Sequence, residues 1–433
     1  MTEPQVRAVG ATREGEESLD GTLEFDGRRY PDGRASDPCK LGWMRGAPPA
    51  ADKCITFESE SFRNFPQLRW SFLHKRELVP TVSVWRGRSG PCKLDYNDKA
   101  ADIDALSFYD MDSRSRCFDE ALLDTYTDGI VVLHRGRIVY ERYFGALEPH
   151  IPHACFSVTK SYASTLTAAF VQEGVLDDAK TIPHYLPELR GTAWEDATLR
   201  QVMDMQTSLA YSEDVYDGPS VKAYVIACGR RPKPAGYVGP TTLCDYLRAV
   251  RKEGAHGEGF VYKSPNADVM AWVTARATGR SLAHLLHERL WAPLGCEEDG
   301  YIEIDPVGMP SAAGGLSVSL RDLARFGELM RQEGEWNGKQ VIPASAVHDI
   351  KKGVDPAKCS NMPKPGYSYR SMWWATHNEL GAFEARGAYG QSLYVAPKAD
   401  MVVARFASHP AWRRGSDPIS IPQMLALGRM LRE

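Results

Sequence analysis

The 433-residue sequence is short of several features, and each absence narrows the function. No segment approaches the roughly 20 uninterrupted apolar residues that a membrane helix needs. The opening stretch, MTEPQVRAVGATREGEESLDG, has no apolar run of the kind a secretory signal carries, so a cytoplasmic location is expected. The nine cysteines (39, 54, 92, 117, 155, 228, 244, 296 and 359) form no CxxC pair, and the histidines add no metal-ligand spacing. Free thiols in a reducing compartment are expected, with no metal and no cofactor. Charge of one sign is also lacking. Lys and Arg number 52 against 56 Asp and Glu, a net charge of −4, which gives no case for a nucleic-acid or anionic-membrane partner. There is no internal repeat, no low-complexity tract and no G-x-S-x-G elbow of an α/β-hydrolase.

What is present is an ordinary globular composition, 43% hydrophobic and 25% charged, enough for a sizeable core in one large two-lobed enzyme or in two or three domains. Residues 1–38 are rich in Gly, Glu and Asp and are expected as a flexible arm. The aromatic- and proline-rich stretch from CKLGWMRGAPP to LVPTVSVWRG shows little periodicity and reads as a strap over a core. In DGIVVLHRGRIVYERYFG, the runs Ile130–His134 and Arg137–Tyr143 flank Arg135-Gly136, the pattern of an antiparallel hairpin. A second strand pair follows far downstream in GQSLYVAPKADMVVARFAS, with Pro397–Asp400 as its turn, and IPQMLALGRMLRE closes the chain as a helix. Between these β regions the chain is mostly helical, with several Gly stop signals. The order predicts an α+β fold. One antiparallel sheet pairs the early hairpin with the late strands, an all-helical lobe is inserted between them, and a cleft separates the two.

Within HACFSVTKSYASTLTAAFVQEGVLDD, Ser157 and Lys160 are three residues apart at the first turn of a predicted helix, so their side chains share one face. A serine hydroxyl is a poor nucleophile until a neighbouring base takes its proton, and a desolvated lysine is one such base. The helix N-terminus also offers backbone N–H groups to a developing oxyanion. Taken alone, S-x-x-K is equally a capping serine and a solvated lysine. Three further segments follow in order: GEGFVYKSPNADVMAWVTARATG with Tyr262 and Ser264, PSAAGGLSVSLRDLARFGELMRQEG, and EARGAYGQSLYVAPKADMVVARF.

With these segments, the chain from about Leu41 to its C-terminus resembles the serine β-lactamase and penicillin-binding family. It is most similar to the class C-like esterase and amidase branch that includes the nylon-oligomer (6-aminohexanoate-dimer) hydrolases. The resemblance implies a β-lactamase-like two-lobe fold, with an α/β lobe from about 39–156 and 340–433 and a helical lobe from about 157–339. It implies Ser157 as the acylated nucleophile, Lys160 as its activating amine and Tyr262 as a proton relay. Ser264 stands where nylon-oligomer hydrolases have serine and true β-lactamases asparagine, while Asn266 is a candidate cap for the following helix. The Lys-Thr-Gly of β-lactamases corresponds to Ala385-Arg386-Gly387, so the lysine that binds a β-lactam carboxylate is missing. Gly387 still permits close approach of a substrate carbonyl, and the N–H groups of Ser157 and Ala388 would form the oxyanion hole, each worth about 3 kcal/mol. Tyr216 and Trp374 match substrate-contacting aromatics, with lobe packing as the competing role. The AAGGLSVSLRDLARFG segment is expected to be structural, with Ser319 capping a helix and no part in the active site. The basic run Gly229–Pro234 is expected as a solvated loop or part of the cleft mouth. The activity implied is hydrolysis of small linear amides or carboxylic esters. Acyl transfer on the same scaffold, or a penicillin-recognising protein that is acylated without turnover, stands as the alternative. Homodimers are common among such relatives, so a homodimer is compatible with the resemblance.

Overall fold

The computed structural model describes residues 21–25, 27–215, 217–354, 359, 364 and 366–433. Its centre is a seven-stranded antiparallel sheet. The strands are β1 (Thr127–His134), β2 (Arg137–Tyr143), β3 (Ser368–Arg370), β4 (Trp373–Ala375), β5 (Phe383–Gly387), β6 (Gln391–Ala396) and β7 (Met401–Ala407), in the spatial order β3-β4-β5-β6-β7-β1-β2. The early hairpin turns where expected, since Arg135 and Gly136 both adopt left-handed backbone (φ 52° and 76°), as a two-residue turn requires. Strand β7 then pairs with β1, Val403 opposite Val132, and so joins the two ends of the chain in one sheet.

Four helices bear on the site: α1 (Val158–Gln172), α2 (Pro265–Thr278), α3 (Leu320–Arg331) and α4 (Asp417–Arg432). Every residue of β1 and β7 is buried because both faces of the sheet are covered. Val131, Leu133 and Val402 share a core with Leu323, Phe326 and Leu329 of α3, whereas Ile130, Val132 and Val403 pack with Met424, Leu427 and Leu431 of α4. In α3, a side-chain carbon at Gly327 would lie 2.4 Å from Val402 and 2.7 Å from Leu393, so glycine lets this helix lie directly on the sheet. Helix α3 therefore belongs to the sheet lobe, and the expected boundary near residue 340 moves upstream of it. Ser319 caps α3 as expected, its hydroxyl accepting the Asp322 N–H.

The end of the expected arm is also built into the fold. Thr22–Phe25 pairs with Arg28–Pro31, Phe25 packs 4.4 Å from His409, and buried Arg69 donates to the Gly33 carbonyl at 2.6 Å. The apolar side chains Leu23, Phe25 and Tyr30 give the segment something to bury, which the polar residues around them obscure in the sequence. The expectation for residues 1–20 lies outside the described residues. In the helical lobe, α1 is buried from Val158 to Phe170 and lies beside α2, with Thr167 and Thr274 hydroxyls 2.8 Å apart. Among the described residues no helix is long and apolar enough to cross a membrane.

Candidate active site

Ser157 sits where a short strand, His153–Ala154, passes into α1. Cys155 N–H donates to the Leu316 carbonyl at 2.8 Å, and Phe156 then takes a left-handed conformation, φ 47°. Such a conformation costs a non-glycine residue about 1–3 kcal/mol and is held by its surroundings. Here Phe72 and Tyr389 pack around the Phe156 ring at 4.7 and 5.1 Å. The Ser157 side chain makes no capping hydrogen bond to the helix it begins. Instead, Lys160 Nζ donates to Ser157 Oγ at 2.9 Å and to the Ala313 carbonyl at 2.6 Å. Lys160 is 1% exposed, and its Nζ lies 5.0 Å from the centre of the Tyr262 ring. The spacing of three has thus produced a desolvated amine on a hydroxyl. The Ala313 contact corrects the expectation that the AAGG segment stands apart from the site, since its backbone carbonyl reaches the lysine.

Tyr262 and Trp374 stack nearly parallel, centroids 6.0 Å apart, within a cluster that includes Phe260 and Tyr369. Trp374 therefore both packs and lines the cleft. Ser264 occupies the cap position of α2, is 8% exposed, and donates its N–H to Glu213 at 2.7 Å. Tyr262 and Lys263 line the cavity and Ser264, expected as a substrate contact, does not. Asn266 is not the cap. It sits inside the first turn of α2, accepting from Thr207 at 2.8 Å and donating to the Lys263 carbonyl at 3.1 Å.

On the opposite side, the end of β5 presses against the turn that leads into Ser157. A side-chain carbon at Gly387 would lie 2.5 Å from the Cys155 carbonyl oxygen, so only glycine fits, although its own backbone is ordinary extended strand. Ala388 follows and shares the cavity with Ser157. Arg386 does not stand as a free cation in place of the missing lysine. It donates to both oxygens of Glu384 at 2.9 and 3.0 Å and pairs with Asp417, which also holds Lys364. Burial disfavours charge at Arg386, but the Asp417 and Glu384 carboxylates outweigh it and hold the guanidinium protonated. Lys364 is pushed down to about 8 by burial, with Arg386 adding to the effect.

These side chains enclose a cavity of about 720 Å³. Its helical-lobe wall carries Glu213, Asp214, Glu253 and Glu258, and its sheet-lobe wall carries Arg386, Arg413 and Arg414 with the Lys364–Asp417 pair. Tyr216 lies outside the described residues. The basic run Gly229–Pro234 is not solvated at its arginines, for Arg230 pairs with Glu303 and Arg231 with Glu60 and Asp217. Among the described residues no cluster of three His, Cys, Asp or Glu side chains is disposed to hold a metal ion. Two participants escaped sequence reasoning: the Ala313 carbonyl, which no side chain advertises, and Asp268, a fully buried acid in α2. An aspartate on the apolar face of NADVMAWV was the available signal for the second.

The chain is 33% identical over 358 residues, 81% of this chain and 88% of the other, to a 6-aminohexanoate-dimer hydrolase of Paenarthrobacter ureafaciens. It superposes on the structure of a candidate 6-aminohexanoate-dimer hydrolase of Bacillus anthracis with a TM-score of 0.81 at 32% identity, covering 89% of this chain and 99% of that one. A more distant fold neighbour is EstCE1, a hydrolase with promiscuous acyltransferase activity (TM-score 0.56, 14% identity, 72% of this chain and 96% of that one). The sequence model of the Beta-lactamase family matches residues 120–421, a span that takes in both sides of the cleft, and this hydrolase chain belongs to that family.

Proposed function

We propose that this hydrolase opens linear amides or carboxylic esters through an acyl-enzyme on Ser157. The observation that carries the reading is the 2.9 Å hydrogen bond between buried Lys160 and Ser157 Oγ at the floor of the cavity. Lys160 takes the hydroxyl proton while Oγ bonds to the substrate carbonyl carbon. The N–H groups of Ser157 and Ala388 receive the oxyanion. Collapse expels the alcohol or amine, which leaves with a proton passed from the Lys160 ammonium by way of Tyr262. Water then attacks the ester carbonyl by the same route in reverse roles and releases the acid and Ser157.

Two features support a linear substrate with charged ends over a β-lactam. Arg386 is engaged by Glu384 and Asp417, and the two walls of the cavity carry opposite charge. A chain bearing an ammonium at one end and a carboxylate at the other, as in the substrate named for the Paenarthrobacter relative, complements that sorting.

The test is turnover of p-nitrophenyl acetate and butyrate, 6-aminohexanoate dimer, a D-amino-acid amide and nitrocefin by wild type and Ser157→Ala. The expected result is hydrolysis of the esters or the linear amide that falls at least about 1,000-fold in the variant, with nitrocefin intact. Full activity in Ser157→Ala would overturn the nucleophile, and rapid nitrocefin turnover would overturn the substrate class. Tyr262→Phe should lose amidase activity more than esterase activity, because an amine leaving group needs the proton and an activated phenolate does not.

A further inference from the structure

The acyl-enzyme reading leaves one fully buried acid without a role. Asp268 lies in the first turns of α2 and is completely inaccessible to solvent. Burying a carboxylate is unfavourable unless its oxygens are well served, and burial does raise its pKa above the usual carboxylate range. Both oxygens are served in a particular way. One accepts the N–H of Ala312 at 2.8 Å and of Ala313 at 3.2 Å, and the other accepts the Tyr224 hydroxyl. Ala313 is also the residue whose carbonyl takes the 2.6 Å hydrogen bond from Lys160 Nζ.

We propose that Asp268 is a positioning residue for the reaction: it fixes the Ala312–Ala313 backbone so that the Ala313 carbonyl holds the Lys160 amine against Ser157 Oγ. The flanks of the segment are tied to the neighbouring strand, Ser311 N–H to the Glu303 carbonyl at 2.9 Å and Glu303 N–H to the Gly315 carbonyl at 2.9 Å, but the N–H groups of Ala312 and Ala313 are taken by Asp268. Gly314 and Gly315 follow at once, and a glycine pair leaves the backbone free to rotate. The turn lies directly on the nucleophile, since a side-chain carbon at Gly314 would be 3.4 Å from the Phe156 carbonyl carbon. Beyond the glycines the chain is stitched down again, with Leu316 N–H on Thr159 Oγ1 at 3.1 Å and Cys155 N–H on the Leu316 carbonyl at 2.8 Å. Asp268 is the matching anchor on the near side of the glycines, and Tyr224 in turn fixes the rotamer of Asp268.

This role rests on Lys160 acting as the base, so the experiment includes Lys160→Ala. Single-turnover acylation and steady-state kinetics on p-nitrophenyl butyrate would be measured for the wild type and for Lys160→Ala, Asp268→Asn, Asp268→Ala and Tyr224→Phe. Thermal unfolding would be followed in parallel. Asp268→Asn keeps an acceptor oxygen for the two N–H groups and should acylate within about tenfold of wild type. Asp268→Ala should lose about 100-fold or more in the acylation rate with KM within about twofold, a split that simple loss of folded protein does not produce. If Asp268→Ala does not fold, Tyr224→Phe carries the test, with an expected three- to tenfold loss in acylation rate at unchanged KM. Loss confined to KM, equal losses in the Asn and Ala variants, or an undiminished acylation rate in whichever of Asp268→Ala and Tyr224→Phe is folded would overturn the proposal. An active Lys160→Ala would instead overturn the assignment of Lys160 as the base on which this role stands.

Discussion

The two walls of the cavity carry opposite charge and hold it in opposite ways. On the sheet side the charges beside the strand are locked and balance one another, which leaves the positive charge of that wall to Arg413 and Arg414. Side-chain exposure is 16% for Arg386, 13% for Asp417 and 2% for Glu384, and the three are joined in one network with Lys364. On the helical side three of the four carboxylates are wet, and only Glu213, which accepts the Ser264 N–H, is held at 10% exposure. Asp214 is 88% exposed and Glu253 61%, and the pairs that reach them, Arg413 to Asp214 at 3.4 Å and Lys263 to Glu253 at 3.8 Å, are long. A buried network gives a fixed field in a low-dielectric wall, whereas exposed carboxylates give a soft field that salt screens. The sheet wall is thus part of the fold, and the helical wall is an adjustable contact surface.

Substitutions on the two sides should separate these roles. The largest effect is expected from Arg386→Met, which leaves Glu384 without its guanidinium and Asp417 with Lys364 alone. A destabilisation of about 3 kcal/mol or more follows, read as a fall in the urea midpoint. A loss below about 1 kcal/mol would show that the sheet wall is as soft as its counterpart.

Next comes pH. The loop that brings Trp412, Arg413 and Arg414 to the cavity begins beside His409, which burial pushes down to about 3. In the unfolded chain histidine takes up its proton near 6.5. Between those values the unfolded state binds a proton that the native state does not, so stability falls as pH falls. From pH 6.5 to 5 the loss should be about 2 kcal/mol, and His409→Asn, which keeps an acceptor for the Ala411 N–H, should remove most of that slope in urea titrations.

On the helical wall the effects are smaller and concern binding. Glu258→Gln should raise KM for a substrate with an ammonium end by about two- to fivefold, an effect that fades in 0.5 M salt as screening sets in. The smallest is Asp214→Asn, expected within about 0.5 kcal/mol of wild-type stability because an exposed ion pair contributes little. A loss of 2 kcal/mol there would erase the distinction between the walls.

The parts of this design that were legible in the sequence are those written in local pattern. The β1–β2 hairpin announces itself by β-branched runs around Arg135-Gly136, and Ser157 and Lys160 meet because a spacing of three is a helix face. What stayed hidden depends on partners remote in the chain. Arg386 finds Asp417 across 31 residues, and nothing near either one signals the pair. Lys160 finds a backbone carbonyl 153 residues away, a group identical in every residue. The placement of α3 on the sheet turned on one glycine in an ordinary amphipathic helix. The end of the N-terminal segment gives little sign of its packing because its three apolar side chains, Leu23, Phe25 and Tyr30, are outnumbered by polar ones.

The contact between Gly387 and the Cys155 carbonyl has a consequence for how this enzyme can change. At that point the strand and the turn before Ser157 already touch, so the gap between Ser157 and Ala388 is set by the absence of a single methyl group. Selection for larger or smaller substrates cannot widen or narrow the cleft there without dislodging Ser157. Room for other substrates has to come from the rest of the lining, such as Asp214 and Arg413, while the Ser157–Ala388 end keeps one fixed gauge.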